Sequence, residues 1–343
     1  MNANILYGVI KSHSLIANLL NSQQIMSLTK TDNLKTFIKL LSGTPYANMF
    51  VETDVTSITL EKAFYCTFIK RIIDVIDVVP KNIAEFLKSY CIKFEILNLK
   101  RIIQGKFNDI PNSQIVESLI PIEPFDNINF KVLAEITSLE EVVARLAGTQ
   151  FSILPEHIES CRKYDVIWPL ELALNHKYAT MVLKSVTKLP KEARVFVREI
   201  VGVETDIENL LIAIRQRSIS QEILKLHKLE DLFPVRYRIN LNIIEGLIKT
   251  ESIKYFIEHL QFPYSKILAP IYEGNLFLIV TYLRRHIYEV ARQRRLINDF
   301  GFNVIMAYII FCEIEKDNLV GIAWGKAQNI PVDEILKYMI IPQ

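Results

Sequence analysis

An all-α fold built from three related helical repeats is what this sequence predicts, and three observations carry the expectation. Apolar residues recur at three- and four-residue steps over long stretches, glycine is scarce, and one helical motif appears three times at nearly even spacing.

The periodic stretches are Ala63 to Val79, Ile83 to Ile103, Leu170 to Val186, Ile207 to Ile214 and Leu276 to Val290. Steps of three and four put side chains on one face of a helix, and no comparably long stretch alternates with the period of two that a half-buried strand requires. The chain has 10 glycines in 343 residues, where ordinary usage of about 7% would supply roughly 24. Few glycines leave few obligatory left-handed turns, which disfavours a fold of many short strands. Prolines punctuate the pattern: Pro111, Pro121 and Pro124 in one connector, Pro155 and Pro169 in a second, Pro263 and Pro270 in a third. The expected repeats are residues 1–130, 131–240 and 241–343, joined in one compact protein.

The motif has an acid three residues before an asparagine, a leucine one after it and a base eight after it. Its copies are Glu95, Asn98, Leu99 and Lys106; Asp206, Asn209, Leu210 and Arg217; and Glu315, Asn318, Leu319 and Lys326. Asn209 follows Asn98 by 111 residues, and Asn318 follows Asn209 by 109. The upstream context repeats too, since Leu60-Glu61 precedes Asn98 by 38 residues and Leu170-Glu171 precedes Asn209 by 39. The third copy has Tyr272-Glu273 at a looser distance.

At about 100° per residue, the acid, the leucine, the residue four after the asparagine and the base fall within an arc of roughly 60°. The residues four after are Ile102, Ala213 and Ile322, so the shared face is apolar with a polar group at each end. Acid and base stand about 16 Å apart along the axis at 1.5 Å per residue, so any ion pair they make is with another helix. Pro111 and Pro331 follow Gly105-Lys106 and Gly325-Lys326. That places the base near a helix C-terminus, where the helix dipole favours a cation. The expected role of the three asparagines is structural: a buried amide bridging neighbouring elements, with direct ligand contact as the alternative.

These residues resemble a family, that of the C subunit of the archaeal A-type ATP synthase and the related d subunit of the eukaryotic V-type ATPase. The resemblance rests on the three acid-x-x-Asn-Leu helices, above all Glu95 to Lys106 and Asp206 to Arg215. It extends to Tyr7 with its following basic helix and to Phe37-Ile-Lys-Leu-Leu-Ser-Gly-Thr-Pro-Tyr46. The second repeat departs from it with Gln216-Arg217 where the others have Gly-Lys, and the third carries Lys316-Asp317 between acid and asparagine. The resemblance implies a funnel with pseudo-threefold symmetry, present in one copy per complex on the cytoplasmic face of the membrane. Its implied partners are the D- and F-type shaft subunits of the central stalk and the proteolipid c-ring. It would carry torque during proton-driven ATP synthesis or hydrolysis without performing chemistry. A helical scaffold or adaptor outside the ATPase is the alternative reading.

The absence of catalytic motifs agrees with that expectation. There is no Gly-x-x-x-x-Gly-Lys-Ser/Thr phosphate loop, no His-Glu-x-x-His, no Gly-x-Ser-x-Gly and no Gly-x-Gly-x-x-Gly. The six histidines are scattered singly, and Cys66, Cys91, Cys161 and Cys312 have no metal-like spacing. No catalytic residue, cofactor or metal is expected, and the cysteines read as reduced. Met1 to Leu20 is interrupted by Lys11, Ser12, His13 and Asn18, which argues against a secretory signal. The most apolar stretch, Val304 to Cys312, falls well short of the roughly 20 residues of a spanning helix. Any membrane association is therefore expected through a partner.

With 40 basic residues against 38 acidic, the net charge of +2 argues against a nucleic-acid partner, which would call for a strong basic excess. The densest cationic cluster is Arg284, Arg285, His286, Arg292, Arg294 and Arg295, interleaved with Tyr282 and Tyr288. A solvated face whose arginines pair with acids elsewhere in the fold is the plain reading. The functional one makes the five arginines a contact for an acidic surface on shaft or ring.

Overall fold

A computed structural model describes residues 3–47, 55–215 and 228–342, and among them helices and connecting turns account for the fold, with no strand. The motif base Arg217 lies outside the described residues. In chain order the helices are α1 (Ala3–Ile16), α2 (Ser22–Thr29), α3 (Leu34–Leu41), α4 (Ser57–Ile76), α5 (Lys81–Phe107), α6 (Asn112–Ser118), α7 (Phe130–Glu135), α8 (Leu139–Arg145) and α9 (Ile158–Tyr164). They continue with α10 (Trp168–Val186), α11 (Lys191–Arg215), α12 (Leu229–Leu232), α13 (Leu241–Lys249), α14 (Ile253–Glu258), α15 (Tyr264–Leu268), α16 (Phe277–Ile297), α17 (Phe302–Ala327) and α18 (Val332–Lys337). The periodic stretches of the sequence fall on α4, α5, α10, α11 and α16. Pro169, expected in a connector, instead sits in the first turn of α10, where its missing N–H has no helical partner to lose.

The chain forms two compact units, one from Met1–Ala84 with Lys266–Gln343 and the other from Glu85–Ser265. In the first, α17 packs against α1, α4 and α16. Every residue from Phe302 to Ile310 is buried, so this stretch is covered on every side, as a helix apolar all round must be when it forms the centre of a core. The core joins the two ends of the sequence: Phe37, Leu41 and Tyr46 meet Phe64 of α4 and Leu319, Ile322 and Ala323 of α17. Phe64 takes both aromatic neighbours edge-on, at centroid distances of 6.3 Å from Phe37 and 5.7 Å from Tyr46.

The second unit buries Phe86, Leu99 and Ile102 of α5, Leu170 and Leu174 of α10, and Phe196, Val201 and Leu210 of α11. Short helices follow the long ones and begin with side-chain caps: Asn129 for α7, Ser138 for α8, Asn240 for α13 and Ser252 for α14 each accept from the N–H three residues on. Asn21 and Asn33 do the same for α2 and α3 in the first unit. Each cap satisfies a donor that the helix start would otherwise leave unpaired.

Two hooks, one per unit, end α5 and α17 in the same way. Asp109 and Asn329 take left-handed φ values of 53° and 54°, and Ile110 N–H returns to the Gly105 carbonyl as Ile330 N–H returns to Gly325, both at 2.8 Å. The hook lays α6 across α5 at Gly105, where a Cβ would stand 2.6 Å from Ile115 Cγ1. At Gly325 a Cβ would stand 2.7 Å from Ile335 Cδ1. Gly105→Ala should therefore forfeit the gain of about 1 kcal/mol that alanine brings to an open helix site, and overpacking should leave the variant about 1–2 kcal/mol less stable. Urea unfolding of Gly105→Ala, Ile115→Ala and the double variant checks this. The second substitution should cost less in the alanine background than in the parent, and strict additivity would remove the close approach as the reason for the glycine.

Candidate functional site

Three buried carboxylates and three buried amides organise the chain around the motif. Glu95 on α5 accepts from the backbone N–H of Asn127 at 2.7 Å, from Asn127 Nδ2 at 3.0 Å and from Gln150 Nε2. Asp206 on α11 accepts from the N–H groups of Tyr237, Arg238 and Ile239 at 2.8, 2.8 and 3.1 Å and from the Tyr264 hydroxyl at 2.5 Å. Glu315 on α17 accepts from Leu20 N–H, from the Tyr46 hydroxyl at 2.6 Å and from Arg71 Nη1 at 2.7 Å. In every case one donor lies just before a pair of short capped helices and another just after it. The pairs are α7 and α8, α13 and α14, and α2 and α3. The acid thus fastens both ends of a two-helix module to a long helix, and the module belonging to α17 is the chain's own N-terminal segment.

Burial pushes the Glu95 and Asp206 carboxyls above the usual carboxylate range, against the pull of their donors. Glu315 also has a cation, since Arg71 is a partly buried ion-pair partner at 2.7 Å. In the first and third copies, whose bases are described, the base is not a partner of the motif acid. Lys106 donates instead to the Ala134 carbonyl at 2.7 Å and to Asn112 Oδ1, and Lys326 is buried one residue before the end of α17.

The asparagines bridge backbone. Asn98 donates to the Ile120 carbonyl and accepts from Ile120 N–H, both at 2.9 Å. Asn318 makes the same two bonds with Ile340 at 2.8 and 3.0 Å, and in both cases the partner lies 22 residues on. Asn209 donates to the Val235 carbonyl at 2.9 Å, 26 residues on, but its oxygen faces His176 Nε2 at 2.8 Å. Because that amide oxygen can only accept, His176 must carry its proton on Nε2. Leu99, Leu210 and Leu319 are fully buried beside the amides.

The upstream glutamates are engaged as well. Trp324 Nε1 donates to Glu61 at 3.1 Å and Gln104 Nε2 donates to Glu171 at 2.6 Å. Both donors lie six residues after a motif asparagine.

The arginines lie along α16. Arg284 reaches α17, with Glu313 at 3.0 Å and Asp317 at 2.6 Å. Arg285 covers the Tyr282 ring at 5.3 Å, Arg292 pairs with Glu289 at 3.0 Å, and Arg295 lies 6.0 Å from the Phe311 centroid. The Arg294 carbonyl accepts from Asn303 Nδ2 at 3.3 Å. Lys316, in the interrupted third copy, is buried 4.0 Å from the Tyr65 ring centroid and pairs with Asp317 at 2.5 Å.

Sequence reasoning does not find Tyr46, Tyr264, Gln150, Arg71 or His176 as site residues. A signal for one of these positions, Tyr46, exists. Leu41-x-x-Thr44-x-Tyr46 reappears as Leu146-x-x-Thr149-x-Phe151, and the structure gives both the same bonds. Each threonine hydroxyl donates back to its leucine carbonyl and accepts from the N–H two residues on. Among the described residues no group of three or more histidine, cysteine and acidic side chains could hold a metal, and no helix is long and apolar enough to cross a membrane.

Two measurements follow. Asn318→Ala should cost about 2–4 kcal/mol in urea unfolding, since it leaves a buried N–H and a buried carbonyl of Ile340 without a partner; a loss below about 1 kcal/mol would contradict that role. Burial pulls the His176 pKa down to about 4, against the opposing effect of its bond to Asn209. The unfolded chain therefore binds the extra proton first as pH falls from about 6.5 towards 4, and stability is lost in that window. Between pH 7 and pH 5 the parent should lose about 2 kcal/mol more than His176→Gln, and parallel curves would exclude the histidine as the cause.

Comparison with known proteins places this architecture. The profile of the family described as ATP synthase (C/AC39) subunit matches residues 11–338. The A-type ATP synthase C subunit of Methanocaldococcus jannaschii is 26% identical over 334 residues, covering 94% of this chain and 83% of the relative. Its counterparts of the same name from Methanothermobacter thermautotrophicus and Pyrococcus furiosus are 21% and 20% identical, covering 97% and 96% of this chain and 87% and 88% of the relatives. With a match that runs through both compact units almost from end to end, the chain belongs to the ATP synthase (C/AC39) subunit family.

Proposed function

We propose that this chain is a non-catalytic central-rotor subunit of an A-type ATP synthase, one copy per complex. In that role it joins the D- and F-type shaft subunits to the proteolipid c-ring on the cytoplasmic face of the membrane and transmits torque between them. The observation that carries the proposal is the family match over residues 11–338, with relatives named as C subunits of A-type ATP synthases along nearly the whole chain. Contact with the membrane is through these partners.

The threefold motif supports a funnel with pseudo-threefold symmetry, made of repeats at 1–130, 131–240 and 241–343, with the last completed by Leu20 to Tyr46. Two bonds already described favour closure. The residue six after the asparagine in the third repeat, Trp324, holds Glu61 of the first, and Gln104 of the first holds Glu171 of the second. In both cases one repeat passes a hydrogen bond to the leading helix of the next, which suits a coupling that must resist twist, because densely packed interiors transmit strain.

We assign a partner contact to the arginine-rich helix α16, with Arg285, Arg292, Arg294 and Arg295 beside the exposed apolar residues Leu296, Ile297 and Phe300. Arg284 anchors that helix to α17 through Glu313 and Asp317. Exposed apolar groups rimmed by charge suit a protein interface.

Affinity purification of the tagged chain from detergent-solubilised membranes tests the assignment. Shaft and proteolipid subunits should be recovered with it, one copy of the chain to each ring. Recovery only as a free monomer would overturn the rotor role.

A further inference from the structure

A cavity of about 330 Å³ opens in the first unit where the end of α1 meets α16 and α17. Its walls are mainly apolar, with Ile16, Leu20, Phe311 and Ile314 among them, and its cationic side is formed by Arg292 and Arg295. The volume is at the lower end of the range for small-molecule sites.

The charges around it are unequally matched. Glu315 lines the cavity, but its oxygens are held by Tyr46, Arg71 and Leu20 N–H. Arg292 is neutralised by Glu289 within its own helix. Arg295 makes no ion pair among the described residues, and its Nε is buried without a hydrogen-bond partner. Its guanidinium lies against the Phe311 ring, which is packed on Tyr288 at 5.1 Å. Counting Arg71, Arg292 and Arg295 against Glu289 and Glu315 leaves one positive charge. A buried N–H of a cation without an acceptor is costly, and an anionic oxygen is the partner that best removes the cost.

We propose that this cavity binds a small organic carboxylate, its oxygens on Arg295 and its apolar body against Ile16, Leu20 and Ile314. One net positive charge suits a monoanion, and the apolar walls select for a hydrocarbon body over a bare inorganic ion. The site shares Arg292 and Arg295 with the helix assigned a partner contact, and the isolated chain is sufficient to test it.

Titration of the full chain with sodium hexanoate, followed by calorimetry and by thermal unfolding, tests the site, with sodium acetate and inorganic phosphate as comparison arms. Hexanoate should bind saturably and raise the unfolding midpoint, and acetate and phosphate should bind at least tenfold more weakly. Arg295→Gln should weaken hexanoate at least tenfold, while Arg285→Gln, on the same helix but outside the cavity, should not change it. Ala17→Phe fills the exposed mouth and should abolish binding while leaving the unliganded chain folded. Absence of saturable hexanoate binding to the parent overturns the proposal, as does equal affinity in Arg295→Gln or phosphate binding as tight as that of hexanoate.

Discussion

A carboxylate removed from water inside a helical protein has to be surrounded by donors, because an unmet buried charge costs several kcal/mol. Glu95, Asp206 and Glu315 each meet that demand with groups from both ends of a short helical pair. The requirement fixes more than the acid. A donor has to arrive from the residue just before the first short helix and another from the end of the second, so the length and path of the module between them are constrained. The asparagine one turn further on holds the next stretch of backbone in the same manner. Acid and amide together tie a long helix to segments that share no periodic apolar pattern with it.

The three solutions share a plan and differ in their donors. Glu95 is met by neutral amides alone, Asp206 by three consecutive backbone N–H groups and a tyrosine, and Glu315 by a tyrosine, an arginine and one backbone N–H. Around the second amide, a histidine supplies the donor that backbone supplies in the other two. Such drift is expected where the constraint is satisfaction of a buried polar group and several residue types can meet it.

The helices are legible from local signals: α5 and α10 from period, and the C-terminal ends of α5 and α17 from Gly-Lys followed by proline. The motif positions are legible from spacing alone. The acids' partners are not, because a hydroxyl or guanidinium hundreds of residues away leaves no mark on the period of the helix it serves. Arg71 stands 244 residues from Glu315, and nothing near it in the sequence distinguishes it from other arginines on amphipathic helices. Tyr46 carries a weak signal, the leucine, threonine and aromatic spacing shared with Phe151, but that pattern marks an ending and does not reveal which helix the ending serves. In the sequence the N-terminal segment reads as the opening of the first repeat. In space it completes the surroundings of the third motif, a cyclic offset that linear spacing conceals.

That offset bears on biosynthesis. Leu20 and Tyr46 leave the ribosome long before Glu315, their partner 295 and 269 residues later. At 5–20 residues per second the wait is roughly 15 to 60 seconds. Throughout it, Phe37, Leu41 and Phe64 lack the leucine and isoleucine of α17 that cover them in the finished protein. The middle unit, Glu85–Ser265, is contiguous in sequence and can condense while the rest is still being made. The nascent chain therefore passes through a stage with a formed centre and sticky, unmatched flanks, the stage at which a holdase chaperone has most to protect.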